Sequence, residues 1–410
     1  MLILTALIAG LGGILLHEFL DLIEYLVFGH GEASTTTTQA VSTKQFILIV
    51  LAGIISAILW YFLQRKNRQI ISVKSQMKAE NPASRMPKLW IHLTNIFLQV
   101  ASVGAGSPIG KEGAPRELGA LGAGRVSDYL KLTFQDRKLA IACGASAGLA
   151  AVYQVPIASI FFAFETLGLG ISVLNLISVS VTTILASLIA GVVISDAPLY
   201  EAAQVTLDVK TAILAIVLAV LISPIAQLFR RLTQKAQAQK VTDHTILWRL
   251  PLTFLLLASL SLVFPEILGN GGAMAQGVFD GMTVQYAAMI VVVKAFVVLL
   301  TLKNGAYGGT LTPSFSMGAV LGFLGAVLCS QIFPTISLAS AMLIGSSVFL
   351  AITMNAPLTA IGLVVSFTAQ KLQALPILLI AVAVAIFIKQ LIERNSYVNP
   401  YRSQTRRNRR

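Results

Sequence analysis

The stretch that decides the fold reads Gly104-Ala105-Gly106-Ser107-Pro108-Ile109-Gly110-Lys111-Glu112-Gly113-Ala114-Pro115. Its glycines let backbone N–H groups come close to a ligand, and Pro115 fits the first turn of a helix that begins near Glu112. The start of a helix offers free N–H groups and a positive dipole end, which together bind anions. Since Glu112 would compete with an anion for these donors, we predict a gate in which a tethered carboxylate must move before a free anion passes.

A second interpretation of this stretch stays open at this point. The glycines could serve a close helix–helix contact, with Lys111 and Glu112 forming an ion pair whose lysine reaches toward the membrane surface. The pattern GxEG is short, so it does not choose between the two.

The composition indicates an integral membrane protein. The chain has 410 residues, of which 56% are hydrophobic and 11% charged, and its mean hydropathy is +0.81, whereas soluble domains carry about 25% charged residues. Lipid leaves backbone groups no outside partner, so we expect a helical, multi-pass protein in the cell (inner) membrane, in contact with the lipid bilayer. The net charge of +13 is typical of cytoplasmic Lys and Arg in membrane proteins, and we expect no nucleic-acid partner.

The charge distribution predicts the orientation. Basic residues follow the second apolar run, in segment 65–88, and recur at 230–240 and in the tail 401–410. The positive-inside rule places all three in the cytoplasm, including the C-terminus, where the tail would anchor on anionic headgroups.

We predict neither a cofactor nor a metal site. His17, Glu18 and Asp21 share one helical face, but no further ligand is evident. Cys143 and Cys329 lie in apolar surroundings and are expected to be inert thiols. HExxH and paired Cys/His patterns are not found in the sequence, which argues against an enzyme.

The spacing of glycine and proline residues repeats in the two halves of the chain. Gly144 is followed twelve residues later by Pro156, and Gly345 twelve residues later by Pro357. Upstream of each pair, Gly and Pro stand five apart, in 110–115 and in 308–313. Matched signals of broken helices in two halves are typical of inverted-repeat transporters, whose binding site lies between the repeats. We therefore divide the chain into a first membrane half with the gating motif (1–195), a linker (196–210), a second repeat (211–400) and a basic tail (401–410).

Several of these motifs resemble those of the CLC family of chloride channels and chloride/proton exchangers. Segment 110–115 is similar to the family's G(K/R)EGP motif with Ala114 inserted before the proline, and 308–313 is similar to GGxFxP with Leu311 in the phenylalanine place. Gly144–Leu149 and Asn355–Thr359 resemble its GAAAGL and APLT stretches.

The resemblance implies an all-α membrane protein with two inverted-topology repeats. It further implies a homodimer of about eighteen tilted, often partial helices per subunit, each subunit with its own pore, and it covers about residues 3 to 400. We expect the family's first cytoplasmic helix and its cytoplasmic regulatory domains to be missing.

The resemblance also assigns roles to single residues. Glu112 falls on the external gating glutamate, and N–H groups around Lys111–Gly113 would face an outer anion site. Those of Thr310 and Leu311 would face a central site, toward which Tyr397 would point its hydroxyl. The sequence alone, without the resemblance, favours an interfacial tyrosine at Tyr397.

Two departures from the family pattern bear on function. The family's GSGIP motif aligns with Ser72–Gln76, which lacks the anion-coordinating serine at the aligned position and puts Val73 and Lys74 there. Ser72 or Ser75 would replace that serine after a shift of one or two residues. Lys74 either brings a positive charge to the inner mouth, where it attracts or traps anions, or is one more positive-inside residue.

The second departure concerns protons. The glutamate on the inner proton route of exchangers aligns with Thr166, which cannot take up a proton, next to Glu165. Glu165 would serve in its place if it faces the same vestibule; otherwise it caps a neighbouring helix. We predict transport of chloride or a similar monovalent anion in exchange for protons, gated by Glu112. A passive channel and selectivity for another anion, such as fluoride or nitrate, are the alternatives.

Lys294 lies in the middle of an apolar run. We expect it to be a structural cation with hydrogen-bonding or charged partners.

Overall fold

The structure, a computed structural model, describes residues 1–29, 41–65, 70–78, 88–330 and 337–407, with side chains described up to residue 394. This part of the chain is all-helical, which confirms the predicted fold class. It forms α1 (Leu2–Phe28), α2 (Thr43–Gln64), α3 (Val73–Met77), α4 (Leu89–Gly104), α5 (Gly113–Tyr129), α6 (Phe134–Tyr153), α7 (Pro156–Glu165), α8 (Val173–Ala190), α9 (Val209–Ala238), α10 (Ile246–Ser261), α11 (Gly272–Asp280), α12 (Val284–Lys303), α13 (Leu311–Ser330), α14 (Leu338–Met354), α15 (Pro357–Phe367) and α16 (Leu375–Arg407), with short 3₁₀ turns at Pro265–Ile267 and Leu372–Ala374.

The helices are of two kinds. Within the described ranges, seven are long and apolar enough to cross a membrane, and five more are apolar but only 10–17 residues long. A full span needs about 20 residues, so the short helices reach only part of the way. The protein is therefore a multi-pass membrane protein that combines helices of full spanning length with shorter apolar ones.

The internal repeat is confirmed by the way its helices end. Helix α6 stops at Gln154, which adopts a left-handed backbone with φ 53°, and α7 begins two residues later at Pro156. Helix α14 stops in the same way at Asn355, with φ 56°, and α15 begins at Pro357. A left-handed residue ends a helix and the residue before proline avoids helical geometry, so one local signal makes the same break in both halves.

Glycines bring the helices of each half into close contact. A β-carbon on Gly119 of α5 would overlap the carbonyl oxygen of Gly144 in α6, and one on Gly318 of α13 would overlap the carbonyl oxygen of Gly345 in α14. Small residues at a crossing let two helix backbones approach in a membrane, where van der Waals packing drives helix association. The two halves thus share a packing device as well as a chain break.

The segment between the halves packs against the second one. Residues 195–208 form no helix. The N–H of Tyr200 donates to Phe367 O (2.9 Å), and the N–H of Val205 donates to Gln370 Oε1 (2.8 Å). The predicted linker is thus hydrogen-bonded to the C-terminal end of α15 and to the residues that follow it.

Candidate anion pathway

The two glycine–proline motifs meet in the interior. The N–H of Gly110 donates to Gly309 O (2.8 Å), and the N–H of Gly309 donates to Gly110 O (2.9 Å). Helix α5 begins within the first motif and α13 begins within the second, and each has a proline at its third position. Since free N–H groups lie at each helix start, the bridge brings together the two backbone segments that the sequence analysis predicted to bind anions.

The Glu112 carboxylate lies between these segments. The residue is 1% exposed, and its Oε1 accepts a hydrogen bond from the backbone N–H of Leu311 (2.6 Å), 199 residues away. Its Oε2 has no hydrogen-bond partner within the described residues. The carboxylate thus binds the amide that the family resemblance assigned to a central anion.

Glycine is required on both sides of this carboxylate. A β-carbon built on Gly110 would overlap Glu112 Oε2, and one built on Gly309 would overlap Oε1. The absence of side chains at these two positions therefore leaves a cradle that the Glu112 carboxylate fills.

The neighbours of Glu112 hold the helix start in place. Arg116 Nε donates to Glu112 O (2.6 Å). Lys111 is 4% exposed, and its Nζ lies 5.4 Å from the ring centroid of Tyr153.

Two other predicted anion-site residues lie at the helix starts. Gly113, at the start of α5, packs against Gln99 Oε1. Thr310 O accepts the N–H of Ser314 (3.0 Å) at the start of α13.

The segment aligned with GSGIP forms the short helix α3. Ser72 accepts the N–H of Ser75 (3.2 Å), and the two hydroxyl oxygens lie 2.9 Å apart. Both hydroxyls thus take part in hydrogen bonds within α3. Val73 is half-buried and Lys74 is exposed. The side chain of Tyr397 lies outside the described residues, so its role stays a prediction.

Glu165 lies at the other end of the short helix α7, across from α15. Its Oε1 accepts from Leu358 N (2.9 Å), and its Oε2 accepts from Thr359 N (2.8 Å) and Thr359 Oγ1 (2.7 Å). The carboxylate therefore caps α15, which is the second of the two arrangements that the sequence analysis left open for Glu165. Thr166 Oγ1 is buried and has no hydrogen-bond partner among the described side chains and backbone.

Two smaller expectations concern ligands and thiols. His17 Nε2 lies 3.7 Å from Asp21 Oδ2, and no group of three or more potential metal ligands occurs in the described part of the chain. Cys143 and Cys329 are buried free thiols.

The sequence analysis missed a buried acid. Glu117 of α5 accepts hydrogen bonds from Asn95 Nδ2 and Gln99 Nε2 of α4, both 2.9 Å long, and lies 2.5 Å from His92 Nδ1. The signal was present, because His92, Asn95 and Gln99 recur at i, i+3 and i+7 in an apolar run and so share one helical face.

Known proteins resemble this chain in sequence. Residues 52–390 match a family model described as voltage gated chloride channel. The voltage-gated ClC-type chloride channel ClcB of Escherichia coli O17:K52:H18 is 32% identical over 309 residues, which cover 74% of this chain and 73% of the relative. The protein of the same description from Shigella flexneri is 28% identical over 93% of each chain.

Solved structures resemble it in fold. A slow cyanobacterial Cl⁻/H⁺ antiporter superposes with a TM-score of 0.79 at 19% identity, covering 96% of this chain and 97% of the other. A CLC-type fluoride/proton antiporter gives 0.72 at 19% identity, covering 94% and 93%. Together with the paired motifs and the buried glutamate between them, the sequence match shows that this chain belongs to the voltage gated chloride channel family, the CLC family.

Proposed function

We propose that the protein exchanges chloride, or a similar monovalent anion, for protons, and that Glu112 is the gate. The observation that carries this proposal is the hydrogen bond from Leu311 N–H to the buried Glu112 carboxylate. A carboxylate on that amide excludes an anion from it, and protonation of Glu112 weakens its hold on the N–H donor.

The chemistry at the gate follows from the cradle. An anion that replaces the carboxylate would exchange its hydration shell for backbone N–H dipoles at the starts of α5 and α13, an arrangement that transporters use to bind anions at mid-membrane. Glu112 Oε2, next to Gly110, is the carboxylate oxygen open to a proton. Each departure of the side chain would then carry a proton while the anion takes its place.

The remaining assignments of this proposal follow the sequence. N–H groups around Lys111–Gly113 would line an outer site, with Thr310 and Leu311 at the central one. Tyr397 would complete the central site, and Val73 with Lys74 would lie toward the inner mouth. We expect a homodimer in the cell (inner) membrane with its C-terminus in the cytoplasm.

The test is the substitution Glu112→Gln in reconstituted vesicles. Glutamine cannot carry the proton, so we expect anion flux to persist and proton flux to be abolished. A chloride electrode and a pH electrode follow the two fluxes together. Glu266→Gln, at a buried carboxylate that accepts from the Tyr286 hydroxyl, is the matched control and should keep both. Undiminished proton flux in Glu112→Gln would overturn the gate.

A passive channel is the second candidate, and Thr166 favours it, because threonine replaces the acid of the inner proton route. The same vesicles discriminate between the two. A chloride gradient drives protons uphill only in an exchanger, and a panel of chloride, fluoride and nitrate gradients identifies the anion.

A further inference from the structure

A second ionisable group lies in the interior beside the gate. Glu117 is 8% exposed, and the three side chains that contact it are buried: His92 at 0%, Asn95 at 0% and Gln99 at 3%. Polar and ionisable groups inside a membrane protein are costly and mark ion or proton pathways. The gate described above does not use this cluster.

The side chains around Glu117 are oriented by hydrogen bonds of their own. Ile71 N–H donates to His92 Nε2 (3.3 Å), so the proton of a neutral imidazole is on Nδ1 and is directed at Glu117 Oε1. Trp60 Nε1 donates to Asn95 Oδ1 (3.0 Å), which turns the Asn95 amide nitrogen toward Glu117 Oε2. His92, Asn95 and Gln99 therefore each present a donor to the Glu117 carboxylate.

The cluster lies between the gate and the predicted cytoplasmic side. Helix α5 runs from the gate motif toward that side, so Glu117 lies about 7.5 Å along the helix from Glu112. Helix α4 runs the opposite way, beginning after segment 65–88, and carries His92 in its first turn and Gln99 about 10 Å further on. Gln99 bridges the two sites, because its Nε2 donates to Glu117 while its Oε1 packs against Gly113.

The titratable groups around Glu117 belong to both halves. His92 faces it from α4, and Tyr307, in the loop before α13, lies within electrostatic range of it. Lys240 Nζ lies 3.5 Å from the centre of the Tyr307 ring, and Arg116 precedes Glu117 on α5. A change in the charge of Glu117 would therefore change the electrostatic potential at both loops, 110–115 and 308–313.

We propose that Glu117 is a second proton-binding site, held by His92 and Asn95, that passes protons between the cytoplasmic side and Glu112. This inference rests on the proposed exchange function. An arriving proton forms an O–H bond on Glu117, and the Gln99 amide turns its carbonyl oxygen to accept it. The O–H bond then breaks as the same proton moves to the ionised Glu112, and Glu117 returns to the carboxylate. His92 acts as a positioning residue. Glu117 thus supplies the inner acid that Thr166 does not.

The test measures anion and proton fluxes of the full chain in phosphatidylethanolamine–phosphatidylglycerol vesicles. We expect Glu117→Gln to keep anion flux and to lower the proton-to-anion ratio by about a hundredfold, the low end of the effect of a proton-transfer group. Glu117→Asp, which still titrates, should restore the ratio. Glu266→Gln, whose carboxylate is also 8% exposed, should leave it unchanged.

A second variant tests the site without changing the acid. His92→Phe removes one of the three side chains that contact the Glu117 carboxylate. We therefore expect the pH profile of proton flux to move while anion flux persists; a purely structural histidine would not move that profile. This measurement also decides the question if Glu117→Gln does not assemble.

The outcomes separate this inference from the proposed function. A wild-type protein that moves anions without protons would overturn exchange, and this site with it. A coupled wild type with an equally coupled Glu117→Gln, or an unmoved profile in His92→Phe, would overturn only the role of Glu117.

Discussion

The loops 110–115 and 308–313 share a backbone and differ in one side chain. Each places a glycine in the bridge that joins them, and each starts a helix with proline at its third position. Counted from the proline, Glu112 of the first loop corresponds to Thr310 of the second. The first loop therefore supplies a carboxylate, and the second supplies the amide that binds it.

Under the proposed function, this difference would let a symmetric scaffold form an asymmetric gate. Two identical loops without an acid would present N–H groups at all times and have nothing to compete with the anion. Two acids would repel each other at close range. In the proposed mechanism, one carboxylate between two helix starts forms a site that the tethered group and a free anion would occupy in turn.

The largest effect is expected from adding a methyl group to the second loop. In Gly309→Ala the new β-carbon overlaps Glu112 Oε1, and overpacking of this kind costs about 1–3 kcal/mol. The carboxylate should leave the Leu311 amide, and the proton-to-anion ratio should fall by up to about a hundredfold, as 1.4 kcal/mol is a factor of ten. Paired flux measurements in vesicles test this.

Two further variants sharpen that result. Gly170→Ala adds the same atom where nothing lies within 4 Å and should behave as wild type. In a Glu112→Ala background, Gly309→Ala should have little further effect, because the group it displaces is gone. A strong effect there would mean that Gly309 acts on the backbone and not on the carboxylate.

An intermediate effect, on stability, is expected at Lys294, which holds the 267–269 loop of the second half against the chain just before loop 110–115. Lys294 is completely buried in α12, and its Nζ donates to Ile267 O (2.7 Å) and Gly269 O (2.8 Å). Gly269 N–H in turn donates to Gly106 O (3.0 Å), just before the gate motif. Lys294→Met leaves two buried carbonyls without this donor, so we expect a loss of about 2 kcal/mol in the free energy of unfolding.

Thermal or denaturant unfolding in detergent measures this loss. Lys303→Met, at the exposed end of the same helix, removes a lysine without those contacts and is the control. Equal stability of the two variants would show that the Lys294 ammonium does not hold the 267–269 loop.

The smallest effect is expected at Glu165, whose carboxylate at the end of α7 caps α15 and so joins the two halves. Glu165→Gln removes the charge that accepts two N–H groups and one hydroxyl of the second half, and loss of a cap costs about 1 kcal/mol. We expect that loss of stability, again measured by unfolding, with an unchanged proton-to-anion ratio.

Ser172→Ala is the matched control, since Ser172 caps α8 within one half by accepting the N–H of Asn175 (3.1 Å). A collapse of proton flux in Glu165→Gln would contradict a purely capping role and return Glu165 to the proton route.

The amino-acid sequence by itself determined the membrane class, the helical architecture and the repeat. Hydrophobicity decides the solvent in which a chain folds. The breaks at 154–156 and 355–357 follow from a left-handed residue and a proline, which act within a few residues of chain. The helix starts beside Glu112 and Leu311 were predictable for the same local reason.

Only the tertiary structure decided which groups meet. The partner of Glu112 is an amide 199 residues away, Glu165 caps a helix of the other half, and Glu117 gathers three donors from a different helix. Each pairing depends on how closely two helices pack, to within an ångström, and local patterns do not encode that distance. Glycine at 110 and 309 has its physical reason there, because the carboxylate fills the space that a side chain would take.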